Sequence, residues 1–241
     1  MTLFLTSSPC IQNADRPLLT PVNGFVDHLR EALPDRPRCL FICSHPDSHE
    51  LTDRFARDMY DAFEEAGMPF GQYGVLDGRN AVEAEALIAA SDFIILAGGH
   101  VPTQHAFFEK IRLAVLLEGY QGVIMGISAG TMNAASTVYV QPEMEGESID
   151  PAFERFVPGL GLTDVQILPH YQQVKDWTLD GKRLFEDITY PDSMGHAFYA
   201  LVDGSYLYGK DGKQWLMGEC YCITEGKMEP FGREGERIEM K

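Results

Sequence analysis

The chain has 241 residues, 45% hydrophobic and 23% charged, a globular balance that excludes a mainly disordered protein. Its 19 basic and 36 acidic side chains leave a net charge of −17, which argues against nucleic acid or an anionic membrane surface as partner. No apolar run reaches the ~20 residues of a membrane-spanning helix, and residues 1–8 lack the basic start of a signal peptide, so a cytoplasmic protein is expected.

Leu3-Phe4-Leu5-Thr6 predicts a first strand, followed by a helical pattern over residues 24–33. Residues 38–43 predict a buried strand, 50–67 a helix closed by Gly67, 71–76 a third strand and 81–90 a helix. Phe93-Ile94-Ile95-Leu96 is a continuous apolar strand running into Ala97-Gly98-Gly99, and residues 105–119 predict one helix capped by Gly119. Residues 122–127 form another apolar run. Strands apolar at every position are buried on both faces, as in a parallel sheet covered by helices.

Residues 142–161 are acidic, turn-rich and without period. Residues 165–168 predict a strand that stops at Pro169-His170, and residues 179–188 a helix. Residues 198–223 alternate like antiparallel strands, with turns at Asp203-Gly204 and Asp211-Gly212. The expected architecture is a single α/β domain over residues 1–241, a doubly wound, mostly parallel sheet with an antiparallel edge near the C-terminus. The five cysteines are odd in number and lack zinc or disulfide spacing, so they read as buried or half-buried thiols.

The segment that carries chemistry is Gly126-Ile127-Ser128-Ala129-Gly130, between a buried strand and a helix. A Gly-x-Ser-x-Gly there forms a nucleophile elbow, with glycines on both flanks because the turn leaves no room for side chains. Serine needs a base, and His170, at the end of a strand, is the first candidate. His196 is the second, whereas His45 and His49 hint only weakly at a metal, and His28 and His105 are expected at the surface. Gly98-Gly99 ends a neighbouring strand, where the Gly99 N–H can join that of Ala129 as an oxyanion hole. Neither a dinucleotide fingerprint nor a phosphate loop is present, and no cofactor or metal is required.

Residues 3–8, Ala97-Gly98-Gly99, the Ser128 block, Leu168-Pro169-His170-Tyr171 and Ala200-Leu201-Val202-Asp203-Gly204 follow one another in a specific order. With these blocks the chain resembles the peptidase E (α-aspartyl dipeptidase) family of serine peptidases, to which the cyanophycinases are related. The resemblance implies a flavodoxin-like, three-layer fold of the class I glutamine amidotransferase type, with serine in place of that group's cysteine. It implies Ser128 as nucleophile, His170 as base, and the N–H groups of Gly99 and Ala129 as oxyanion hole. The family's acid stands in a Leu-x-Glu-Gly block; Asp203 occupies that position here, with Glu143 as the other candidate. The family's arginine after the histidine is not reproduced in residues 176–183, where Lys182 and Arg183 are the available cations, and His100 replaces the Asn after Gly99. The implied activity is dipeptidase-like hydrolysis of small peptides without strict Asp-X specificity, by a monomer or homodimer. Two alternatives remain: an α/β-hydrolase-type esterase using His196 with Asp164 or Asp176, and a non-catalytic amidotransferase-like binding domain.

Overall fold

The continuous apolar runs of the first half build five parallel strands. The structure, a computed structural model, describes residues 1–11 and 14–240. Strand β1 (Thr2–Thr6) leads to helix α1 (Phe25–Ala32), β2 (Arg38–Ile42), α2 (His49–Glu65), β3 (Gln72–Leu76) and α3 (Ala84–Ala89). Then come β4 (Phe93–Leu96), α4 (Val101–Lys110), α5 (Leu113–Leu116), β5 (Val123–Ile127) and α6 (Ala129–Asn133). The second half adds a short pair, β6 (Thr137–Tyr139) and β7 (Phe156–Pro158), then β8 (Gln166–Leu168), α7 (Tyr171–Val174) and a hairpin of β9 (Thr178–Leu179) and β10 (Lys182–Arg183). A π-helical stretch at Leu184–Thr189 and α8 (Tyr190–Asp192) precede β11 (Ala197–Leu201), β12 (Tyr206–Lys210), β13 (Lys213–Met217), β14 (Cys220–Thr224), β15 (Lys227–Gly232) and β16 (Arg237–Glu239).

The main sheet runs β16-β13-β12-β1-β5-β4-β2-β3. Strands β1, β5, β4, β2 and β3 are mutually parallel, and β12, β13 and β16 extend the β1 side antiparallel. Alternate residues serve opposite cores. Phe4, Phe41, Phe93 and Met125 pack with Leu29 of α1 and with Met59 and Phe63 of α2. Leu40, Ile42, Ile94 and Ile124 pack with Ile88 of α3 and with Phe107 and Phe108 of α4. Burying each such side chain contributes about 1.5–3 kcal/mol, and the two-sided burial explains why these strands carry no polar face. Because α2 leaves β2 onto one face and α4 leaves β4 onto the other, the carboxyl ends of these neighbours bound a crevice.

Three expectations need correction. The antiparallel edge near the C-terminus forms from β12, β13 and β16, but the tail is divided: β11 and β14 belong to a second sheet, β15-β14-β11-β8, in which β8 and β11 run parallel. Residues 105–119 are not one helix, because Arg112 adopts left-handed angles (φ 56°) and separates α4 from α5. Residues 179–188 begin as a hairpin, since Asp180 and Gly181 both take positive φ (52° and 78°), the backbone of a tight I′-type turn. The cysteines are free, with Cys39, Cys43 and Cys220 buried and Cys10 and Cys222 half-buried. Among the described residues no helix is long and apolar enough to cross a membrane.

Candidate active site

At the end of β5 the chain turns sharply through Ser128, whose φ of 49° and ψ of −109° are strained for a residue bearing a side chain. The flanking glycines are obligatory on steric grounds. A Cβ on Gly130 would lie 2.3 Å from the Leu96 carbonyl oxygen, and one on Gly126 would lie 2.9 Å from the Thr131 backbone. The bend is clamped from β1 and β4. The Ser128 N–H and the Thr131 hydroxyl both donate to Thr6 O (3.2 and 2.8 Å), and the Gly130 N–H donates to Ala97 O at 3.1 Å. Helix α6 starts immediately, so the Ala129 N–H is a first-turn amide with no acceptor inside its helix.

The turn after β4 lies beside this bend. A Cβ on Gly98 would touch the Ser128 Cβ at 3.4 Å, and one on Gly99 (φ 152°) would collide with Ser44 Oγ at 2.3 Å and His45 Cε1 at 2.7 Å. Ser44, at the end of β2, donates to Gly98 O at 2.6 Å and fixes this peptide. His45 bonds Ser44 Oγ through Nδ1 at 2.9 Å; burial, then the charge of His100, pushes its pKa below the ordinary histidine value.

His170 and Asp203 come from the second sheet. They follow the parallel neighbours β8 and β11, in which Leu168 is paired with Ala200, so both side chains reach the same edge. His170 Nδ1 lies 2.7 Å from Asp203 Oδ1, and Ser7, just past β1, donates to that oxygen at 2.6 Å while accepting the His170 N–H at 2.7 Å. Gln173 Nε2 donates to Asp203 Oδ2 at 2.5 Å. Burial pushes the Asp203 carboxyl up, but the bond and charge of His170 and the Ser7 hydroxyl outweigh it and hold the pKa below its ordinary value. An ionised carboxylate only accepts, so Nδ1 carries a proton, and in the neutral imidazole the lone pair is then on Nε2.

Ser128, Gly99 and His170 line two cavities. One, of about 360 Å³, is walled by Ser8, Cys10, Phe41, Phe55, Asp58 and Met59; the other, of about 130 Å³, by Met132, Gln141, Glu143, Gln173, Val174 and Trp177. No hydrogen bond joins Ser128 Oγ to His170 among the described residues. Such bonds often tighten only with substrate present.

Glu143 shares the smaller cavity but does not stand behind His170; one of its oxygens accepts the Val101 N–H at 3.3 Å. Crowding by protein raises its pKa above the ordinary carboxylate value, against the pull of His100 and His170. His196 lines neither cavity and is stacked on Phe156 with centroids 4.3 Å apart. Lys182 donates to Ser148 O and Arg183 pairs with Asp187, so neither cation lines either cavity. His28 and His105 are both half-buried rather than exposed, His28 with its ring stacked on Tyr208 and bonded to the Tyr206 hydroxyl. No group of three or more His, Cys, Asp or Glu fit to hold a metal occurs among the described residues. Sequence reasoning missed Ser7, Ser44, Gln173 and Asp58, although Ser7 lay within the block of residues 3–8 and Ser44 stood next to His45.

The fold is similar to that of several solved structures, among them two of the peptidase type. A peptidase from an acI-B1 Actinobacterium superposes with a TM-score of 0.64 at 18% identity, over 99% of this chain and 96% of that one. A putative peptidase E protein from Listeria monocytogenes EGD-e gives 0.59 at 17% identity, over 96% of this chain and 98% of the other. No curated protein matches the sequence significantly. The model of peptidase family S51 matches residues 3–216, nearly the whole chain, and the protein therefore belongs to peptidase family S51, as a serine peptidase.

Proposed function

We propose that this peptidase cleaves short peptides, dipeptides among them, by acyl transfer through a Ser128–His170–Asp203 triad. His170 Nε2 takes the Ser128 proton as Oγ bonds to the substrate carbonyl carbon. The N–H groups of Gly99 and Ala129 receive the developing oxyanion. The C–N bond then breaks, His170 returns the proton to the departing amine, and water releases the acyl group by the same relay. Asp203 keeps the proton on Nδ1 and stabilises the imidazolium. The observation that carries this reading is the 2.7 Å His170–Asp203 bond on the wall of cavities that Ser128 also lines. A cytoplasmic setting suits the five unpaired thiols.

A serine-directed phosphonate tests the nucleophile. Wild-type protein is expected to gain the mass of one phosphonyl adduct, and Ser128→Ala to gain none while losing dipeptide hydrolysis by a factor of about 10⁴ or more. Unchanged mass of folded wild-type protein after prolonged exposure would overturn the proposal.

A further inference from the structure

The larger cavity beside Ser128 has an uneven chemistry. Its walls away from the elbow are mostly apolar, formed by Cys10, Phe41, Phe55 and Met59, yet Asp58 of α2 lines it too. No Lys or Arg is among its described lining residues, and none lines the smaller cavity either. Asp58 has no ion pair or side-chain hydrogen bond among the described residues, although arginines flank it on α2. Neither arginine lines the cavity: the Arg57 guanidinium lies 5.8 Å from the Tyr60 ring centroid, and that of Arg54 lies 5.4 Å from the ring centroid of Phe55, itself a wall residue. The carboxylate is felt inside the cavity, since burial and then the charge of Asp58 push the Cys10 thiol up to about 11.

Three kinds of substrate side chain can be weighed against these walls. An acidic one brings a second negative charge beside Asp58 with no Lys or Arg on the lining to offset it. A purely apolar one fits Phe41, Phe55 and Met59 but strips water from a carboxylate left without a partner. A lysine or arginine side chain satisfies both, with methylenes against the apolar wall and a cation at the carboxylate. We propose that this cavity is the side-chain subsite of the peptidase and that Asp58 makes it select a long basic residue in the substrate. The inference rests on Ser128 being the nucleophile, because that places the cavity next to the scissile bond.

The test separates the two claims by reading binding apart from turnover. Lys-Ala, norleucine-Ala and Asp-Ala, with the reversed set Ala-Lys, Ala-norleucine and Ala-Asp, are titrated calorimetrically into Ser128→Ala protein and assayed with Ser128 intact. Norleucine matches lysine in stem but lacks the charge. In one of the two sets the lysine peptide is expected to bind Ser128→Ala about tenfold or more tighter than norleucine, with the aspartyl peptide weakest. The Asp58→Asn/Ser128→Ala double variant is expected to lose about tenfold of that lysine-to-norleucine ratio. Asp61→Asn on the same helix should keep it. Equal binding of lysine and norleucine peptides, a preference for the aspartyl peptide, or a ratio that survives Asp58→Asn overturns the subsite. Lysine selectivity in binding without phosphonate capture or hydrolysis would instead uphold the subsite and overturn the proposed nucleophile.

Discussion

The Ser7 hydroxyl is fully buried and bonded on two sides, donating to Asp203 and accepting from the His170 backbone, so one oxygen sets both the acid and the strand end that carries the imidazole. It lies in the block of residues 3–8, but nothing in the sequence marks its role, because a serine closing a strand is commonplace and its partners lie more than 160 positions away. Ser128, by contrast, is marked by two glycines whose necessity is steric and His170 by its position after a strand, whereas Asp203 is expected only through the resemblance to the peptidase E family. Asp203 titrates below the usual carboxylate value in the fold, so the folded state favours its ionised form. That stabilisation is complete above the unfolded value of about 3.9 and is lost as pH falls through the lower folded value. Urea midpoints of wild type and Asp203→Asn should therefore differ most near neutral pH and converge below about pH 4. A constant gap across that range would show that the ionised form is not favoured by folding. On activity, Asp203→Asn should lower kcat by about 10⁴ with little change in KM, the effect of the wrong imidazole tautomer.

Elements were legible where burial is symmetrical. A strand covered on both faces must be apolar throughout, and β2, β4 and β5 announce themselves in that way. Failure came where a single backbone angle decides. Arg112 at φ 56° ends α4, but arginine gives no hint of left-handed geometry, so residues 105–119 keep a helical pattern across the break. Asp180-Gly181 is a hairpin signal, yet each of its strands has only two residues, too few for period-two alternation to show. At the elbow the backbone requirement is steepest. Gly130→Ala drives a methyl against the Leu96 carbonyl, and because backbone rather than a flexible side chain stands in the way, a loss of about 3 kcal/mol or more is expected in thermal melts. A variant as stable as wild type would mean that the bend can open at little cost.

At the scale of the whole molecule, the proposed chemistry spans two sheets. Ser128 ends a strand of the main sheet, whereas His170 and Asp203 end strands of the second, a division hidden in the sequence because β11 to β14 read as one alternating tail. The sheets share a core: Leu5, Leu207 and Leu216 of one pack in the same cluster as Ile167, Leu201 and Cys220 of the other. That common interior predicts cooperative loss, with peptidase activity and far-ultraviolet sheet signal vanishing at the same urea concentration. Activity disappearing first, while the sheet signal persists, would mean that the sheets separate independently. The division of labour reaches further. Helix α2 lends Phe55, Asp58 and Met59 to the larger cavity but supplies no atom to the hydrogen bonds among Ser7, His170 and Asp203. The proposed recognition and the proposed proton relay thus sit on separate pieces of the chain, and an evolving lineage could rewrite one helix face to accept a new diet of peptides while inheriting its cutting apparatus untouched.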